Sequence, residues 1–72
     1  MKYIIKIGQG SVFNYYYTGE EYWIEEKKYA NFVTSMKFAK RFDSRVEAER
    51  TKSRLMKTCV NARNAEIEEV KE

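Results

Sequence analysis

Ser44 and Glu47 stand three residues apart at the head of "DSRVEAERTKSRLMKT", and no other feature constrains the fold of this chain as strongly. A serine with a glutamate three positions on is a capping box. Its hydroxyl accepts one orphan amide of the first helical turn, and its carboxylate reaches back to another. Ala48, Thr51, Leu55, Cys59 and Ala62 then recur at helical spacing, which predicts a helix from Arg45 to about Asn61 with a narrow apolar stripe. Glutamates in the first turns and Arg54 and Lys57 later suit the helix dipole. Glu47 with Arg50 and Glu49 with Lys52 are expected as ion pairs at spacing three. One helix with so narrow a stripe makes no core alone; it needs a sheet to lie on.

The rest of the chain supplies strands. "KYIIKI" sets Tyr3, Ile5 and Ile7 on one face against Lys2, Ile4 and Lys6 on the other. "GQGS" is expected as a turn, "VFNYYY" as a second strand, "TGEE" as another turn and "YWIE" as a third short strand. Residues 27–42 fit either period; short extended pieces around Asn31–Val33 and Lys40–Phe42, joined by a turn, are expected there. "AEIEEV" closes the chain as a strand. The fold class that follows is α+β: one domain over residues 1–72, a small antiparallel sheet of about four strands, and one helix packed on one face.

Six of the eleven aromatic rings lie between Phe13 and Trp23. Neighbours in a strand point to opposite faces, so Tyr15, Tyr16 and Tyr17 cannot share one core. With Phe13, Tyr15 and Tyr17 under the helix, Tyr16 projects outward, and Trp23 opposes Tyr22 and Ile24. At least two large rings then land on the face without the helix. They either pack across strands or form a platform for a planar ligand or a protein.

At 72 residues the chain has room for one core, with stability on the order of 4–10 kcal/mol. A dimer is expected, because the stripe is too narrow for eleven rings and Val46, Met56 and Val60 form a second, weaker apolar flank. The single cysteine, Cys59, forms no internal disulfide and is expected to be buried on the helix face; with no signal peptide and no membrane-length apolar run, a cytoplasmic location is expected. The net charge of +3 is unevenly spread. Residues 1–36 balance, residues 37–63 carry nine basic side chains against Asp43, Glu47 and Glu49, and residues 64–72 carry Lys71 against four glutamates. Lys37, Lys40, Arg41 and Arg45 crowd the start of the helix, with Arg50, Arg54 and Lys57 on its outer face. This is an anion-attracting edge or a solvated charged surface.

Catalysis has little to stand on: no histidine, a cysteine expected to be buried, and no carboxylates at metal-ligand spacing. Glu20, Glu21, Glu25 and Glu26 are expected as solvated charge beside a hairpin. No enzyme, metal or cofactor is expected.

Ala39, Phe42, Ser44, Glu47 and Ala48, in the pattern A-x-x-F-x-S-x-x-E-A behind a "KYIIKI" strand and a "YW" strand, resemble small uncharacterised phage and prophage accessory proteins. The resemblance covers about half the chain. It implies a lineage and a fold, and accessory proteins of that sort include antagonists of bacterial defence acting in the host cytoplasm. Three functions are expected from the residues and this resemblance together. The first is a sponge for a small anionic nucleotide, bound by Tyr16 and Trp23 as stacking rings and by Lys40, Arg41 and Arg45 as phosphate contacts, in a pocket between subunits. The second is a direct inhibitor of a host protein, using the aromatic face. The third is a nucleic-acid binder.

Overall fold

The computed structural model describes residues 1–8 and 14–71. The strand start at Val12–Phe13 and most of the "GQGS" turn lie outside the described residues. Four strands, β1 (Lys2–Gly8), β2 (Asn14–Ile24), β3 (Lys27–Val33) and β4 (Ala65–Val70), form one antiparallel sheet in the order β3-β2-β1-β4. A short 3-10 turn (Met36–Phe38) and one helix, α1 (Arg45–Thr58), lie between β3 and β4. This is the expected α+β architecture.

The helix starts where its cap says. Ser44 is extended (φ −132°, ψ 150°), and its hydroxyl accepts the Glu47 N–H at 3.1 Å. On the helix surface Arg45 pairs with Glu49, four residues apart at 3.6 Å, and among the described residues the expected Glu47–Arg50 and Glu49–Lys52 pairs are not found. The helix also stops earlier than expected, at Thr58. Cys59 is already extended (φ −110°, ψ 129°) while its N–H still donates to the Leu55 carbonyl. Cys59 and Ala62 are buried as the stripe requires, but from the turn-rich segment between the helix and β4.

The core lies between α1 and one face of the sheet. Ile5 and Ile7 from β1, Tyr17 from β2, Ala30 from β3 and Ala65 from β4 meet Phe42, Ala48, Leu55, Cys59 and Ala62, with Tyr3, Tyr15, Phe32 and Ile67 packed around them. Ile4 departs from expectation. Placed by alternation on the face with Lys2 and Lys6, it is nevertheless fully buried, outside the helix-side core. The second face of β1 is therefore covered at its centre, as befits a central strand.

β2 corrects the largest error of the sequence reading. "TGEE" is a bulge inside one long strand: pairing with β3 runs Tyr17↔Phe32 and resumes at Glu21↔Ala30. Gly19 takes φ +98° there, and a Cβ on it would sit 3.0 Å from Cδ of Lys40. A glycine with positive φ serves a bulge as well as a turn. The turn itself is Glu25–Glu26, leading into β3, which begins at Lys27 and runs through the expected Asn31–Val33 piece. Beyond the bulge β2 leaves β1, and Phe42 takes its place, exchanging backbone hydrogen bonds with Tyr3 (3.0 and 2.8 Å) while the Lys40 N–H donates to the Tyr17 carbonyl at 2.8 Å.

Candidate functional site

The bulge sets the direction of every side chain in the outer half of β2. Tyr17 points to the helix side, and its hydroxyl donates to Glu21 at 2.6 Å. The same carboxylate accepts from Arg54 of α1 at 2.6 Å and lies 3.6 Å from the Lys28 ammonium. Glu21 and Lys28 thus share the helix side, as does Trp23, whose ring has the Lys28 ammonium 6.0 Å from its centroid. Glu21, expected as solvated charge, is only 15% exposed at its side chain, and Arg54 folds back from the outer helix face to meet it.

This cluster clamps the bulged strand to the helix, and its titration follows from its geometry. Burial first, then the hydrogen bond and charge of Glu21, push the Tyr17 hydroxyl up to about 12. Burial alone would raise Glu21, but the Tyr17 hydroxyl, Arg54 and Lys28 together outweigh it and hold the carboxyl below its ordinary value. The Tyr17 contribution to stability is whole below the unfolded value of about 10 and is lost as pH rises toward the folded one. Glu21 contributes above the unfolded carboxyl value and loses its share as pH falls through the lowered folded one. The stability difference between wild type and Tyr17→Phe is therefore expected to be steady near neutrality and to shrink above about pH 10. Thermal melts across pH measure it, and a difference that stays constant into that range would show that Tyr17 ionises freely in the folded protein.

The five candidate ligand residues do not come together. Tyr16 pairs with Lys6 and Val33 in mid-sheet, half-buried, on the face away from Tyr17. Trp23 lies seven residues on, hence on the other face, at the end of the β2–β3 hairpin. Its cross-strand partner Lys28 accepts a backbone hydrogen bond from Val60, beyond the far end of α1. Arg45 opens that helix at its opposite end, fourteen residues or about 20 Å away, while Lys40 lies against Gly19, four residues before Trp23 in β2.

At that opposite end an open hollow of about 420 Å³ is lined by Lys40, Arg41, Phe42, Asp43, Glu47, Arg50 and Thr51. Its charges are mixed. The Arg41 guanidinium donates to the carbonyls of Met36 and Ala39 at 2.7 and 2.8 Å, fastening the 3-10 turn. Lys40 lies along Gly19, with its ammonium 5.5 Å from the Phe42 ring centroid. Asp43 is hydrogen-bonded to Lys2, whose proximity holds its carboxyl below the usual range. Arg45 is exposed, paired with Glu49, and does not line the hollow.

The hairpin tip is different in character. Trp23 is 67% exposed and Ile24 52%, with Tyr22 beside them stacked on Tyr29 across the strands (5.6 Å between centroids, 13° between planes). The turn joining the strands has Glu25 at φ 47° and Glu26 at φ 69°. A tight turn with two left-handed residues is ordinarily built from Asn and Gly, and side chains there cost about 1–2 kcal/mol per residue. Two exposed apolar side chains thus stand beside a turn whose two residues are both left-handed. The density of rings in residues 13–23 was the available signal for this tip; the absence of Gly or Asn at 25–26 hid the turn that presents it.

Among the described residues no group of three or more His, Cys, Asp or Glu side chains is placed to hold a metal ion, and no helix is long and apolar enough to cross a membrane. No family model, curated protein or solved structure matches the chain.

Proposed function

We propose that this chain is a non-catalytic binding protein that docks on another protein through the tip of its β2–β3 hairpin. The exposure of Trp23 and Ile24 beside the strained Glu25–Glu26 turn carries this reading. Tryptophan anchors are the side chains most enriched where interface energy concentrates, and a protruding ring finds a pocket more readily than a flat face does. The chemistry of the chain supports a binding role: it has no histidine, and its one thiol is buried. The resemblance to phage accessory proteins makes a host defence protein, in the host cytoplasm, the partner class proposed here. A second copy of the chain is proposed to meet the exposed Val46, Met56 and Val60.

A second reading keeps the anionic nucleotide. Lys40 and Arg50 line the same hollow, which has the size of a small-ligand site. Against it stand Asp43 and Glu47 in the same walls, the carbonyl contacts of Arg41, and a lining that includes neither Tyr16 nor Trp23.

Trp23→Ala is expected to abolish retention of a stoichiometric partner from host lysate, with a loss of at least about 2 kcal/mol in calorimetry once that partner is purified. The melting temperature should change little, because the ring is exposed. Undiminished binding by Trp23→Ala would move the interface elsewhere. Tight binding of a mono- or dinucleotide that Lys40→Ala removes would return the function to nucleotide sequestration.

A further inference from the structure

The two edges of the sheet are treated differently. Along β3 the outer edge is closed by the chain itself. The Asn61 side chain accepts the Ala30 N–H at 2.9 Å and donates to the Ala30 carbonyl at 2.8 Å, while the Val60 N–H donates to the Lys28 carbonyl at 3.0 Å. An amide side chain there stands in for a neighbouring strand. β4, the other edge, has no such cover among the described residues.

The direction of its free groups follows from β1. Tyr3 exchanges both backbone hydrogen bonds with Phe42 on one side of β1, so by the two-residue period Lys2, Ile4 and Lys6 turn theirs toward β4. Their partners Val70, Glu68 and Glu66 face inward, and Ile67 and Glu69 present N–H and C=O outward. Ala65, which also faces outward, already donates its N–H to the Ala62 carbonyl. The open edge therefore starts beyond Ala65. Side chains follow the same period: Ile67 is half-buried on the helix side, and Glu66 and Glu68 stand on the other face, Glu68 3.7 Å from the Lys6 ammonium.

We propose that the outer edge of β4 is a strand-addition site for an extended segment of another protein that alternates basic and apolar residues. An added strand places one residue beside Ile67, where an apolar side chain extends the core, and its two neighbours beside Glu66 and Glu68, where lysine or arginine meets opposite charge. A second β4 does not fit, because it would set glutamates against glutamates. The site shares no residue with the hairpin tip, so it stands or falls separately from the docking proposed there. The plain alternative is that the glutamates only guard an exposed edge against aggregation.

Fluorescence polarisation with a labelled peptide of about seven residues alternating lysine and valine decides between them. Saturable binding is expected, weakened about tenfold or more when one alternate set of peptide amides is N-methylated and little changed when the other set is. Glu66→Lys with Glu68→Lys should weaken it similarly with the circular dichroism spectrum retained, and Trp23→Ala should leave it unchanged. If the double variant unfolds, the two methylated peptides still decide on the wild-type protein. No saturable binding, or equal affinity for both methylated peptides, overturns the proposal; the second result would mean charge attraction without backbone pairing.

Discussion

Leu55→Ala is expected to destabilise the protein by about 2–5 kcal/mol, a large share of what a domain of this size possesses. Leu55 is fully buried and is the largest side chain that α1 sends into the core; its companion on the helix, Ala48, is too small to fill a vacated space. The surrounding groups are strands and a capped helix, fixed by backbone hydrogen bonds, so the cavity collapses only in part. Urea denaturation should show the midpoint falling with the slope unchanged. An unmoved midpoint would mean that the helix does not present this face to the sheet.

Asn61→Ala should cost about 2–6 kcal/mol, although the side chain it removes is small and polar. The Asn61 amide is the partner of both backbone groups of Ala30, and Ala30 is fully buried. Removing it strands a donor and an acceptor together, each worth about 1–3 kcal/mol when left without a partner. The loss has a local signature: hydrogen exchange at the Ala30 amide should accelerate well beyond the global change in stability. A variant with the wild-type midpoint and a protected Ala30 amide would show that another group closes this edge. The same substitution opens a second free edge, so a rise in aggregation should accompany it.

Both effects depend on residues whose roles were unequally legible in the amino-acid order. Leu55 stands in a stripe that begins at Ala48, directly after the capping box, and helical period alone puts it inward. Asn61 sits in "CVNARN", which reads as the frayed end of a helix; its partner lies 31 positions earlier in a strand whose register is set elsewhere. Glu21 shows the same limit. Beside Glu20 and close to Glu25 and Glu26 it looks like solvated charge, and only the approach of Arg54 and the Tyr17 hydroxyl makes it the centre of a clamp.

What the sequence determined by itself was local. It comprises the Ser44 cap, the face shared by Tyr3, Ile5 and Ile7 and that shared by Tyr15 and Tyr17, the closing strand, and the impossibility of burying three consecutive tyrosines on one side. These follow from periods of 3.6 and 2 and from one side chain bonding a nearby amide, and they need no knowledge of distant residues. The tertiary structure decided whatever depends on pairing across the chain. It made "TGEE" a bulge and moved the turn to two glutamates with no turn signature. It replaced β2 by Phe42 along β1, and it put Tyr16 and Trp23 on opposite faces, with neither ring in the hollow that Lys40 and Arg41 line. The physical reason is that a positive φ at Gly19 is compatible with either turn or bulge. The choice falls to long-range contacts, Lys40 against that glycine and Phe42 against Tyr3, which no local pattern encodes.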